Sequence, residues 1–286
     1  MSKITGLFFC LVSALFLVFP SDSFAGGTAP DRRHLAEEIA SQHQMDGRRI
    51  HTSIFELQSW TRLASPGKPL RIYIEGDGFA WSSSSTPSFD PTPRDPIVLQ
   101  LAGLDRSENL AYLARPCQYV EINQASPCQV LDWTDGRFSE TVIASMNEAV
   151  TQLKEAAHTE QVELVGYSGG AAVALLVAGR RSDIRSIRTI AGNLNPTAVN
   201  HYHHMEPLKG SLDPMEVLNK VNHIPQLHFI GDEDKVIPVE ITQDFVHRLP
   251  EGSCAEFVVI PQATHHSGWK ESWSRLLPRP FPCQEH

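Results

Sequence analysis

The stretch VELVGYSGGAAVALL, residues 162 to 176, constrains this chain more than any other. It opens as an apolar run of strand length and closes in small and aliphatic residues suited to a helix packed closely on a sheet. Between the two halves, Gly166, Gly169 and Gly170 surround Ser168. Glycines at such a junction let the strand and helix backbones pass with no Cβ between them, so the chain turns sharply. A serine on that turn is presented above the sheet, and the N–H of Gly169 at the helix start is aimed at the same space. A phosphate-binding turn is the poorer reading, because neither a P-loop lysine nor G-x-G-x-x-G is present.

The rest of the chain repeats the alternation. LRIYIEGDG (70–78), LAYLARP (110–116), IRSIRTIAG (184–192), QLHFIG (226–231) and AEFVVIP (255–261) read as short apolar strand segments, most running into polar loops. Helical patterns fall at 31–45, near 96–104, at 139–157 and after Gly169, while IHTSIFELQSW (50–60) alternates as a half-buried strand. WSSSSTPSFDPTPRDP (81–96) is dense in Ser and Pro and reads as a loop, either lid or rim. Strands alternating with helices imply βαβ units, an α/β class and a mostly parallel central sheet flanked by helices. Ligands of such sheets bind beyond the carboxyl ends of the strands.

At the amino terminus, Lys3, an apolar run from Leu7 to Phe19, and SFA before two glycines have the layout of a secretory signal peptide cleaved after Ala25. The run is short for a membrane span, which needs about 20 apolar residues. The expectation is a signal peptide over 1–25, one domain over 26–286, and an exported chain, periplasmic or secreted, without stable membrane insertion. A formal net charge of -9 with no basic stripe argues against a nucleic-acid partner. Of the 5 cysteines, Cys10 leaves with the signal, and Cys117, Cys128, Cys254 and Cys283 remain as an even set for an oxidising compartment. Sequence proximity favours Cys117 with Cys128 and Cys254 with Cys283. No C-x-x-C is present to suggest zinc, and HYHHM at 201–205 reads as a polar loop, so neither metal nor cofactor is expected.

A serine hydroxyl needs an imidazole to take its proton and a carboxylate to orient that imidazole. The chain supplies both after later strands. GDEDKVIP offers Asp232, Glu233 and Asp234. Asp232 is so close to the strand and its glycine that it reads as a turn residue, which favours Asp234. QATHHSGW offers His265 and His266, and local chemistry does not choose between them; Ser267 is a candidate cap for a helix near Trp269. For a second donor to a carbonyl oxygen, beside the Gly169 N–H, the loop after the strand at 70 offers the amides of Asp77 and Gly78.

With these pieces in order, the chain resembles the α/β-hydrolase superfamily. YIEGDGFAW, PTPRDP, YLARPCQY, GYSGG, AGNL and GSLDP are similar to segments of a group of secreted bacterial α/β hydrolases, often described as lipoproteins, of unknown substrate. The resemblance runs from about residue 70 to 277. It implies the α/β-hydrolase fold. That group has a Pro, three residues, a His, three residues and a Trp, which matches Pro261, His265 and Trp269 and selects His265 over His266. Its acid loop matches Gly231, Asp234 and Pro238. Thr264 and Ser267-Gly268 depart from the group, which has an Asp before the His and a cysteine pair before the Trp, and the lipid-attachment cysteine is missing.

The expected function is therefore that of a serine hydrolase, most simply a carboxylic-ester hydrolase. Ser168, Asp234 and His265 form the triad, Gly169 with Asp77 or Gly78 receives the oxyanion, and the substrate is a small ester-like molecule. A peptidase or thioesterase would use the same triad, and a non-catalytic binding protein could keep the scaffold. Loops 79–96 and 193–216 are the candidate specificity segments, with Trp81, Phe89, Tyr202 and Met205 as candidate acyl-site side chains.

Overall fold

The expected apolar segments, with a polar edge strand β1 beside them, pair into one eight-stranded sheet in the order β1-β2-β4-β3-β5-β6-β7-β8. The strands are β1 (Asp46–His51), β2 (Glu56–Leu63), β3 (Leu70–Ile74), β4 (Asn109–Leu113), β5 (Val162–Tyr167), β6 (Ile184–Ile190), β7 (Gln226–Gly231) and β8 (Ala255–Ile260). β2 is antiparallel to both β1 and β4, and every other pairing is parallel. The computed structural model describes residues 29–283, so the expected signal peptide at 1–25 lies outside the described residues.

Alternation along each central strand divides the apolar residues between two faces. On β3, Leu70, Ile72 and Ile74 join one core and Tyr73 the other; on β5, Val162 and Leu164 oppose Val165 and Tyr167. The first face is covered by α3 (Glu140–Ala156), α4 (Gly169–Ala178) and Phe245 of α7 (Val239–Arg248). The second is covered by α1 (Ala29–Gln42), α2 (Ile97–Leu104) and α8 (Trp269–Leu276). Two covered faces explain why the central strands read as continuous apolar runs. All residues of α4 are buried, which accounts for its lack of a polar face.

The crossing of β5 and α4 depends on absent side chains. A Cβ on Gly166 would lie 2.5 Å from the Gly170 carbonyl oxygen, and one on Gly170 would lie 2.3 Å from that of Ile74. Ser168 itself turns at φ 51° and ψ -122°. Its N–H donates to the Ile190 carbonyl at 3.0 Å, and its own carbonyl accepts from Asn193 N–H at 2.9 Å, so both neighbouring segments hold the strained residue.

Three local expectations are corrected. The single strand expected at 50–60 is a hairpin: Thr52 and Phe55 close a turn through Thr52 N–H and Oγ1 to the Phe55 carbonyl, and His51 then pairs with Glu56. HYHHM is not wholly loop, since His201 and Tyr202 end α5 (Pro196–Tyr202), which Asn195 caps by accepting from Ala198 N–H. Ser267 does not cap α8. Gly268 stands there at φ 88°, and the Ser267 hydroxyl bonds that of Thr264 at 2.8 Å.

Cys117 lies against Cys128, and Cys254 against Cys283, with Cα separations of 5.7 and 5.5 Å suited to disulfides. These are the pairings favoured by sequence proximity. The first closes the loop after β4, and the second ties the tail to the residue before β8. No helix among the described residues is long and apolar enough to cross a membrane.

Gly170→Ala tests the crossing. Its Cβ would meet backbone oxygens of Ile74 and Glu75 at 2.3 and 2.5 Å, and backbone yields poorly. Overpacking of this kind costs about 2 kcal/mol. Urea unfolding should show that loss against wild type, and an unchanged midpoint would contradict so close an approach.

Candidate active site

Ser168, Asp234 and His265 follow the carboxyl ends of β5, β7 and β8, on the same edge of the sheet. His265 Nε2 lies 3.0 Å from Ser168 Oγ, and His265 Nδ1 lies 2.9 Å from Asp234 Oδ2. The carboxylate only accepts, so Nδ1 carries the proton and the Nε2 lone pair faces the serine O–H. Asp234 Oδ1 accepts from the N–H groups of Val236 and Ile237, both at 2.8 Å. With that, both carboxylate oxygens are engaged in a side chain 0% exposed.

The neighbouring acids serve elsewhere. Asp232 Oδ1 accepts from Gln262 N–H at 2.7 Å, fastening the loop after β7 to the loop after β8. Glu233 is exposed. Of the two histidines, His265 is buried between acid and serine, whereas His266 stands at the rim with its ring edge-on to His265 at 4.8 Å. The Tyr167 hydroxyl donates to the His265 carbonyl at 2.9 Å and lies 3.0 Å from His266 Nδ1. Trp269 Nε1–H donates to the carbonyls of Thr264 and His265, which fixes the histidine loop from below. Partial burial, and then the neighbouring His265, hold His266 below the ordinary imidazole pKa.

Gly169 is the first residue of α4, so its N–H has no carbonyl of its own helix to meet and lies at the positive end of the helix dipole. Asp77 and Gly78 line the same cleft as Ser168. The Asp77 carboxylate packs against Gly169, where a Cβ would sit 2.0 Å from Oδ1. Two arginines hold it, Arg115 Nη1 at 3.2 Å and Arg137 Nε at 3.1 Å. Sequence reasoning missed both. The available signal was a charged residue directly beyond the apolar end of β4, in LAYLARP.

The cleft has a volume of about 480 Å³, and its apolar wall comes from Phe79, Pro93, Ile97, Tyr167 and Val236. The expected acyl-site side chains Trp81, Phe89, Tyr202 and Met205 are exposed and do not line it. Loop 79–96 contributes instead through its base, where Phe79 N–H donates to the Pro91 carbonyl and the Arg94 guanidinium stacks 3.6 Å over the Phe79 ring. A larger cleft of about 700 Å³ beside β1 is lined by polar groups such as Glu37, Arg48 and Gln58 and lies apart from the serine. No group of three His, Cys, Asp or Glu among the described residues is placed to hold a metal ion.

No protein-family model and no curated protein sequence matches the chain. Solved structures do resemble it. A protein of unknown function from Agrobacterium tumefaciens, described as a putative α/β hydrolase, is 17% identical; the match covers 82% of this chain and 100% of that one at TM-score 0.55. An esterase of Pyrococcus furiosus is 15% identical, with 82% and 92% covered at TM-score 0.57. The chain has the α/β-hydrolase fold. A putative dienelactone hydrolase of Klebsiella pneumoniae shares this α/β-hydrolase architecture at 15% identity, with 82% and 96% covered and TM-score 0.57.

Within this α/β-hydrolase fold, Glu75 directly follows β3 and is 2% exposed. Its Oε1 accepts from Gly76 N–H at 2.9 Å and its Oε2 from the Tyr112 hydroxyl at 2.9 Å. Burial outweighs these bonds and pushes its carboxyl up from 4.5 to about 7. An acid with a raised folded-state pKa holds its proton more tightly folded than unfolded. The contribution of Glu75 to stability is therefore fully present below about pH 4.5 and is lost, by about 3 kcal/mol, as pH rises through about 7. Glu75→Gln lacks this titration. In urea unfolding its stability relative to wild type should rise by about 3 kcal/mol between about pH 4 and pH 8; parallel profiles would contradict the buried acid.

Proposed function

We propose that the chain is an exported serine hydrolase, most simply a carboxylic-ester hydrolase. The observation that carries this reading is the unbroken series from Ser168 Oγ through His265 to a fully buried Asp234, with contacts of 3.0 and 2.9 Å. In this reading Ser168 Oγ attacks the ester carbonyl carbon while His265 Nε2 takes its proton. Asp234 stabilises the imidazolium. The tetrahedral oxyanion is received by the Gly169 N–H and by the amide of Asp77 or Gly78. The imidazolium then protonates the departing alcohol, and a water activated by the same histidine releases the acid from the acyl-serine. No step calls for a cofactor.

The strained Ser168 backbone supports catalysis over a binding scaffold, because a residue held at φ 51° against steric preference serves to aim its side chain. A cleft of about 480 Å³ with an apolar wall suits a small ester. Export is supported by the two cysteine pairs at disulfide distance and by the leader pattern before Gly26.

Purified protein with p-nitrophenyl esters of graded acyl length tests the reading, with thioester and anilide analogues alongside. Turnover should be highest for short acyl esters and absent in Ser168→Ala. His265→Ala should lose at least about 1,000-fold in kcat, and His266→Ala should stay within about 10-fold of wild type. Turnover that persists in Ser168→Ala contradicts the proposal. Loss in His266→Ala but not in His265→Ala would reassign the base.

A further inference from the structure

Arg115 and Arg137 take no part in the triad, yet they stand directly behind the glycine that begins α4. Arg115, two residues past β4, is 4% exposed, and Arg137, in the loop before α3, is 8% exposed. Arg115 Nη1 meets Asp77 Oδ1 at 3.2 Å, and Arg137 Nε meets Oδ2 at 3.1 Å. Oδ1 is the atom that a Cβ on Gly169 would strike at 2.0 Å. The carboxylate thus lies against the backbone whose N–H faces the serine's space.

A lone carboxylate in that place would oppose negative charge growing on a bound carbonyl oxygen. Two guanidiniums and one carboxylate leave the cluster with a formal charge of +1 instead. The other carboxylate that acts on Arg115 is Glu75, more weakly than Asp77, and burial keeps it largely protonated below about pH 7, where the surplus stands. Arg115 Nη2–H donates to the Arg137 carbonyl, Arg137 Nη1–H donates to that of Thr134 at 3.0 Å, and both guanidiniums lie over the apolar Phe138 ring. A surplus buried cation is costly to a folded chain, and its cost falls whenever an anion forms nearby.

We propose that Arg115 and Arg137 are positioning residues of the oxyanion site, holding Asp77 against Gly169 and reversing the sign of its field so that the transition-state oxyanion meets net positive charge. The inference rests on the serine-hydrolase reading and adds a function for residues outside the triad. Because the charge matters only when the oxyanion forms, the effect belongs to kcat and not to KM.

The test compares wild type, Arg137→Gln, Arg137→Lys and the double variant Asp77→Asn/Arg137→Gln. The readouts, taken at about pH 6 where Glu75 is largely protonated, are kcat and KM on p-nitrophenyl acetate, Ki for an aryl trifluoromethyl ketone whose serine adduct carries an oxyanion, and the thermal midpoint. Arg137→Gln brings the cluster to zero and should lower kcat about 30-fold, with KM within about 2-fold and a matching rise in Ki. The double variant returns the cluster to +1 and should recover kcat to within about 5-fold of wild type, as should Arg137→Lys. A double variant as slow as Arg137→Gln, or a folded Arg137→Gln with unchanged kcat, overturns the inference. If Arg137→Gln fails to fold, Arg137→Lys and the double variant decide: both near wild type supports the charge account, and a slow, folded double variant overturns it. Failure of the serine-hydrolase reading shows in the wild type, which would neither turn over the ester nor bind the ketone, and the inference falls with it.

Discussion

The close passage of α4 over the end of β5 is the constraint on which the site depends. It exists because Gly166 and Gly170 carry no Cβ where one would meet backbone at 2.5 and 2.3 Å. Tight packing forces the intervening turn to reverse within Ser168, whose backbone adopts a conformation that side-chain-bearing residues avoid. The strain is over-determined by hydrogen bonds to Ile190 and Asn193. One consequence is a half-buried hydroxyl that lines the cleft; the other is an unspent Gly169 N–H beside it.

Two further strand ends are held in register with that turn. Parallel pairing of β7 with β8 brings the loops after them together, and the Asp232 to Gln262 contact fastens one to the other. Asp234 is locked by two backbone N–H groups, and the His265 backbone by Trp269 and Tyr167. Each triad side chain is therefore oriented by groups outside the triad, which holds the contacts of 2.9 and 3.0 Å in place. On the opposite wall, Gln118 Nε2–H donates to the Gly76 carbonyl, and Cys117, one residue earlier, lies against Cys128. The loop that carries Asp77 is braced in this way from β4.

Much of this was legible because the relevant signals are local. The central strands are apolar on both faces and bounded by glycines or polar loops, so VELVG and QLHFIG declare themselves without knowledge of the partners, and AEFVVIP at the sheet edge does so by its apolar run. Position beyond a strand end then brought Ser168, Asp234 and a histidine into view. The hairpin at 46–63 was not legible, because residues on either side of its turn preserve an apolar alternation across Thr52–Phe55. The choice of His265 was not readable from chemistry either, since it depends on which ring turns inward over Asp234. Arg115 and Arg137 were hidden for a related reason. Their meaning lies in a shared partner, Asp77, at separations of 38 residues for Arg115 and 60 for Arg137 (137 less 77), and no local pattern reports such a meeting. The four apolar side chains expected in the acyl site were chosen by residue type within long loops, and type alone does not say which way a loop side chain faces.

The central claim is that the Ser168 hydroxyl is made nucleophilic by His265 and Asp234. Covalent capture by a fluorophosphonate reads that property directly, since ordinary serines react negligibly with it. Peptide mass spectrometry of the treated protein should find a single adduct, on the peptide that contains Ser168, and none in Ser168→Ala. An untouched Ser168 in folded wild-type protein, or an adduct on another side chain alone, would contradict the account.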